Sequence, residues 1–272
     1  MHDLVQNIPQ ESIDLLKEAA GGEPIEGAVV LGSGLGTLLE SWQPHFQIAG
    51  SDLPGYPIST VAGHAGKLAL VRWGEKLGLI FQGRVHFYEG YSRQEVTFAV
   101  RLAAALGTKW MMFTNAAGSV HPHFTPGTVL VVEDHIRIFM GTTDAWQSGG
   151  GPALTGSPYH LERTEQCFRI LSRTGLRVMR GVLFGGLGPT YETASEVEMI
   201  RRLGAHGACM STVVEVEEAA RQGMEVVALS LITNLGTGLS AQTLSHDEVV
   251  AMANEVGPTL AAGIGSIVDS WQ

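Results

Sequence analysis

Seven short apolar runs punctuate the chain, at 28–32, 68–73, 77–82, 110–114, 128–132, 178–184 and 225–232. They are five to eight residues long and rich in Val, Ile and Leu. Continuous apolar runs of that length fit strands buried on both faces. Between them apolar positions recur three and four apart, at 93–106, 160–174, 194–203, 213–222 and 246–268. That is the period of a helix with one buried face. A further helical pattern covers 3–20, through Leu4, Val5, Ile8, Leu15 and Leu16, with a break near Pro9. Strands alternating with helices predict an α/β fold with a twisted, mixed or mostly parallel sheet flanked by helices. No linker, charge block or repeat divides the chain, so residues 1–272 are expected to form one domain. The Gly-, Ser-, Thr- and Pro-rich stretch 141–158 reads as a long loop. A loop of that length in a compact domain serves as a lid, a binding loop or a subunit contact.

Composition narrows the classes. Hydrophobic residues make up 44 % of the sequence, enough for a substantial core. No unbroken apolar stretch approaches the ~18 residues of a membrane span. The start, MHDLVQNIPQESIDLLKEAA, lacks the basic and apolar regions of a signal peptide. The two cysteines, Cys167 and Cys209, form neither a disulfide framework nor a zinc spacing, so a cytoplasmic location is expected. The net charge of −10 argues against a nucleic-acid surface. It leaves room for a small anion, which needs only local donors. The ten histidines show no HExxH or other ligand spacing, and no metal is expected.

Candidate chemistry gathers where apolar runs end. AVVLGSGLGTLLE (28–40) is a strand-like run followed by Gly32, Ser33, Gly34 and Gly36. A dinucleotide fingerprint needs G-x-G-x-x-G and an acid about 20 residues on. Here the third glycine comes one residue early, and Asp52 sits in the turn-like SDLPGYP. A nicotinamide-dependent oxidoreductase is therefore disfavoured. Two readings of the turn remain: an anion cradle with the Ser33 hydroxyl and backbone N–H groups, or a tight turn whose glycines permit close packing. TVAGHAGKL (60–68) presents His64 on a glycine-rich turn. FQGRVHFYEGY (81–91) offers Arg84, His86, Tyr88 and Glu89 within six residues. On an extended segment 84, 86 and 88 share a face, and an arginine suits bidentate phosphate binding. TNAAGSV (114–120) ends another run in small residues, where a ligand can approach the backbone.

Seven motifs in order resemble the trimeric purine nucleoside phosphorylases: LGSGLG (31–36), GHAGKL (63–68), QGRVHFYEGY (82–91), TNAAGS (114–119), GPTYETASE (188–196), MSTVVEV (210–216) and SLITN (230–234). The resemblance covers roughly residues 28 to 250. It implies cleavage of a purine ribonucleoside by orthophosphate, a co-substrate, giving free base and ribose 1-phosphate with no cofactor. It implies a phosphate site of Ser33, His64, Arg84, His86, the Ala116 backbone and Ser211. Glu192 and Asn234 would face the base, with Tyr191 lying against it. Tyr88, Met210 and His246 would hold the sugar, His246 at the 5′-hydroxyl. His86, Glu192, Asn234 and His246 would carry the catalytic roles. An amide at Asn234 can stabilise charge growing on the purine N7/O6 edge, and a carboxylate at Glu192 can accept from N1–H. Read without the resemblance, Glu192 is also a helix-start acid and Asn234 a strand-end turn residue. A homotrimer is implied, with purine nucleoside and phosphate as partners and neither nucleic acid nor membrane.

One segment departs from the family. Asp134-His135-Ile136 is present, but RIFMGTTDAWQSGGGPALTGSPYHLE does not follow the NPL-x-GPN-like loop and the aromatic that reaches a neighbour's sugar site. Trp146 and Tyr159 are the candidates for that aromatic. Two alternatives follow. The methylthioadenosine phosphorylase branch prefers 6-aminopurines and tends to carry Asp at the position of Asn234 and Thr at that of Ser211. A non-catalytic purine-binding protein with a diverged loop is the other.

Overall fold

The computed structural model describes residues 8–61, 66–138, 154–240 and 246–271, without the side chains of 246–248. His64 and Trp146 lie outside the described residues. Among the described residues nine strands form one sheet: β1 (Ile25–Leu31), β2 (Phe46–Ala49), β3 (Lys67–Trp73), β4 (Lys76–Gln82), β5 (Trp110–Ser119), β6 (Thr128–Ile136), β7 (Arg177–Gly185), β8 (Gly207–Cys209) and β9 (Glu225–Leu235). Eight α-helices accompany it among the described residues: α1 (Gln10–Ala19), α2 (Leu38–Ser41), α3 (Arg93–Val96), α4 (Phe98–Ala105), α5 (Leu161–Leu171), α6 (Ala194–Arg202), α7 (Val213–Arg221) and α8 (His246–Ser270).

The strand order is β2-β3-β4-β1-β5-β8-β7-β6-β9, and β9 also pairs with β5. Strands β5, β8, β7, β6 and β9 therefore close into a ring, from which β1, β4, β3 and β2 extend as an open wing. Strand β5 makes this possible. Its first half pairs with β1 on the edge that its last two residues use for β8. Its other edge runs along β9 throughout. Pairings β1–β4, β1–β5, β5–β9, β6–β7 and β7–β8 are parallel and the rest antiparallel. The expected mixed, mostly parallel sheet is what forms.

Burial follows the pleat. In β1, Ala28 and Val30 enter one core cluster while Val29 and Leu31 enter the other. In β5, Met111 and Phe113 take the first side, Trp110 and Met112 the second. Helices α1, α4 and α7 cover the first face through Leu16, Leu102 and Val216. Helices α5 and α8 cover the second through Leu171, Leu260 and Ile264. Each fully buried side chain of this kind contributes roughly 1.5–3 kcal/mol. Glycines let aromatic rings lie on the strands. A Cβ on Gly27 would fall 2.0 Å from the Trp110 ring, and one on Gly78 equally close to Trp73.

The sequence-predicted elements differ from the structure in places. Strands β2 and β8 were not expected; β2 is half-exposed and β8 is three residues long. The helix expected over 93–106 is two, because Thr97 bonds its hydroxyl back to Arg93 O at 2.8 Å, the contact that bends helices. Helix α1 starts at Gln10, directly after the break expected at Pro9, and residues 3–7 of that pattern lie outside the described residues. Tyr159 cannot reach a neighbour's sugar site. It is buried and its hydroxyl lies 3.1 Å from His135 Nδ1, because residues 159–160 run beside Val226 and seat the ring in the core.

Candidate active site

The carboxyl ends of β1, β4, β5, β8 and β9, with the residues just past them, line one cavity of about 160 Å³. Ten of the expected residues line it: Ser33, Arg84, His86, Tyr88, Ala116, Tyr191, Glu192, Met210, Ser211 and Asn234. His246 opens α8, one turn before Val249, which lines the same cavity.

The cationic part is built on Arg84, two residues past β4. Its Nη1 donates to Thr114 O at 2.9 Å, and its Nε lies 3.0 Å from Glu215 Oε2. Both side chains of that pair are buried. Burial pushes the Glu215 carboxyl up and Arg84 pulls it back. His86 follows on the same face, with Nδ1 2.8 Å from Glu89 Oε1 and its ring stacked on Tyr88 at 4.7 Å. Burial lowers the affinity of His86 for its proton, and Arg84 adds to this against the opposing pull of Glu89. Burial also acts to raise Glu89, but hydrogen bonds from Thr60 N–H, the Thr60 hydroxyl and His86 outweigh it and hold the carboxyl low. The expected shared face of 84, 86 and 88 is present, although 87–89 form a 3₁₀ turn rather than a strand.

Ser211 completes this part from the start of α7. The next residue, Thr212, has φ 60° and ψ −53°, and Val213 N–H donates to Ser211 O at 2.6 Å. This is a γ-turn of the rare positive-φ hand on a β-branched residue, a conformation that costs roughly 1–3 kcal/mol. Strain held beside a cavity points to a site whose geometry the surrounding structure enforces.

The glycines of the turn are closely packed. Gly32 N–H donates to the Thr114 hydroxyl, 3.3 Å away, so it serves the fold rather than an anion. A Cβ on Gly32 would lie 2.7 Å from Arg84 Nη1, and one on Gly34 would meet Ala253 at 2.6 Å. Helix α2 is a single turn, too short to supply the expected helix-start donors. Ser33 is the part of the turn that faces the cavity.

The amide–carboxylate pair comes from two other elements. Asn234 is placed by a β-bulge. Ala117 pairs with Ile232 but Gly118 pairs with Asn234, so Thr233 is the extra residue. The Thr233 hydroxyl donates to Asn234 Oδ1 at 2.9 Å, and Asn234 Nδ2 donates to Leu235 O at 3.3 Å. Glu192 precedes α6, whose first turn is capped by Thr193 and Glu196 instead. Its reading as a helix-start acid is therefore displaced by one residue. Burial raises the Glu192 carboxyl, and Glu196 adds a little. Met210 and Tyr88 close around Gly188, where a Cβ would meet Met210 Sδ at 2.5 Å. Burial, with Glu89 beside it, pushes the Tyr88 hydroxyl up to about 12.

The sequence reading gave no role to several residues that build this site. Asn115, Gly118, Val197, Cys209, Thr233 and Val249 line the cavity. Glu89 and Glu215 stand behind it. Glu215 had a readable signal, the Thr-x-x-Glu spacing of a capping box at Thr212, but not its contact with Arg84.

A mixed sheet closed at one end, with an arginine–histidine pocket and an amide–carboxylate pair at its carboxyl edge, defines a phosphorylase-type α/β protein. The profile of the phosphorylase superfamily matches residues 28–268. Purine nucleoside phosphorylase 1 of Geobacillus stearothermophilus is 38 % identical over 265 residues, 95 % of this chain and 96 % of the relative. Purine nucleoside phosphorylase 1 of Bacillus subtilis (strain 168) is 37 % identical over 90 % of this chain and 92 % of its own. The solved structure of Schistosoma mansoni purine nucleoside phosphorylase in complex with adenosine superposes with a TM-score of 0.87 at 26 % identity, over 100 % of this chain and 99 % of that one. Its inosine complex gives 0.83 at 25 %, over 96 % and 97 %. The chain belongs to the purine nucleoside phosphorylase family.

Proposed function

We propose that the chain catalyses phosphorolysis of 6-oxopurine ribonucleosides, converting inosine or guanosine and orthophosphate to free base and ribose 1-phosphate. The observation that carries this is one cavity lined by both Arg84 with His86 and Glu192 with Asn234. The first pair suits an anion and the second a 6-oxopurine edge. Orthophosphate attacks C1′ as the C1′–N9 bond breaks, and the bonding electrons pass into the purine. The Asn234 amide bonds the N7/O6 edge more strongly as that charge grows, which favours the transition state over the ground state. Glu192 accepts from N1–H, a donor that adenine lacks. Ser33, His64, Arg84, His86, Ala116 N–H and Ser211 hold the phosphate. Tyr88, Met210 and His246 hold the sugar, and Tyr191 lies against the base. No covalent intermediate, cofactor or metal is needed; positioning supplies most of the acceleration.

The reading extends to a single-domain chain acting as a homotrimer in the cytoplasm, with no nucleic-acid or membrane partner. The net charge of −10 speaks against a nucleic-acid partner. The two free, buried cysteines support the cytoplasmic location. No helix among the described residues is long and apolar enough to cross a membrane. Asn234 and Ser211 disfavour the methylthioadenosine branch. The test is hypoxanthine release from inosine, with and without orthophosphate, beside adenosine. Phosphate-dependent release from inosine alone is expected. Faster cleavage of adenosine would move the chain to the 6-aminopurine branch. Tight base binding without release would make it a purine-binding protein.

A further inference from the structure

Two groups assigned to orthophosphate, Arg84 and Ser211, sit on elements remote in sequence. Arg84 follows β4, and Ser211 precedes α7. Both are tied to one atom. Glu215 Oε2 lies 3.0 Å from Arg84 Nε and accepts the Thr212 N–H at 3.1 Å. Thr212 is the centre of the strained turn that begins at Ser211. Glu215 itself lies in the first turn of α7 and is 1 % exposed, so its reach is fixed by a helix packed on the core. Arg84 is held a second time through Nη1 at Thr114 O, which fixes the plane of the guanidinium.

A carboxylate beside an anion site is a puzzle for simple electrostatics. Its charge repels the anion and cancels part of the arginine. Its presence there needs a geometric reason. We propose that Glu215 is the positioning residue of the phosphate subsite: its one buried oxygen locks Arg84 and the Ser211–Thr212 turn in register, so both close on orthophosphate together. The inference rests on the phosphorolysis reading and deepens it. Glu215 does not touch substrate; it acts through Arg84 and Ser211.

Charge and position make opposite predictions for Glu215→Ala. Loss of a nearby negative charge alone would lower the KM for orthophosphate. Loss of the shared anchor raises it, and a tenfold rise or more is expected, equivalent to about 1.4 kcal/mol. The KM for inosine should stay within about twofold, since no nucleoside-facing group is tied to Glu215. Glu215→Gln keeps one accepting oxygen for both donors and should recover most of the loss. In the Arg84→Ala background, Glu215→Ala should raise the phosphate KM much less than in wild type, because the two act as one unit. If Glu215→Ala does not fold, Glu215→Asp replaces it: the charge stays, the carboxylate retreats by one methylene, and the phosphate-specific rise is still expected. A phosphate KM that falls or stays unchanged, equal shifts in both KM values, or a Gln variant no better than Ala would overturn the proposal. Wild-type protein without phosphate-dependent release from inosine would instead sink the phosphorolysis reading beneath it.

Discussion

Asn234 shows how little separates a turn residue from a catalytic one. Its Oδ1 is pinned by Thr233 and its Nδ2 rests near the Gly118 backbone, where a Cβ would lie 3.2 Å away. The amide thus has a fixed plane in a cavity wall. Asn234→Ala should lower kcat on inosine by about 10²-fold, the scale of losing one preorganised donor. The KM for orthophosphate should barely move. Arg84→Ala should do the reverse, raising the phosphate KM with a smaller effect on kcat. Steady-state kinetics with each substrate varied would check both, and equal effects on phosphate affinity would contradict the division into base and anion subsites. At this scale much of the site was legible. Ser33, Arg84, Ser211 and Asn234 stand at strand or turn ends in motifs that could be read in order. Glu215 was not legible in that way. Its capping-box spacing announces a helix start, while its ion pair with Arg84 joins residues 131 apart, which no local pattern encodes.

At the scale of elements, the glycine turn after β1 and the β7–β8 pairing each carry a test. Gly32→Ala puts a methyl against Arg84 Nη1 and Thr114 O, at 2.7 and 2.6 Å. The guanidinium can shift more easily than the strand, so a higher phosphate KM is expected, with a stability loss of about 1–3 kcal/mol. Urea unfolding and phosphate titration would measure the two. In the β7–β8 pairing His206, just before β8, fills the space beside Gly181 and accepts the Val182 N–H through Nδ1 at 3.0 Å. Burial lowers its affinity for a proton, and His121 lowers it further against a weaker pull from Glu133. The unfolded chain therefore binds this proton more readily. Stability from this group is complete above the ordinary histidine range and is lost as pH falls through it. His206→Asn keeps an acceptor that cannot be protonated. Wild type should lose stability relative to that variant between pH 7 and pH 5, read as urea midpoints. Parallel curves would remove His206 as the source. The elements most legible in sequence were the long apolar strands. Strand β8 was hidden because Gly207, Ala208 and Cys209 offer three small residues and no period, and its existence depends on β5 and β7 on either side.

Over the whole molecule, the α/β class followed from alternation, but the closure of the sheet did not. Closure depends on β5 being ten residues long and sharing one edge between β1 and β8, a division invisible in its own sequence WMMFTNAAGS. The ring predicts a gradient of local stability. Backbone amides in β5 and β9, which pair with each other along their whole length, take further partners on the opposite edge and are largely buried, should exchange with solvent most slowly. Those of β2 should exchange fastest among the strands. Native-state hydrogen exchange would test this, and equal protection of β2 and β5 would show that the wing and the ring open as one unit.

Among the described strands only β2 pairs on a single side. Among the described residues β2 thus offers other chains a template for strand addition that is four residues long and half-exposed. A docking register that short gives an incoming strand few hydrogen bonds to recoup its ordering entropy. The same closure that gathers residues from five strands around one cavity also leaves this acidic protein little backbone on which to polymerise.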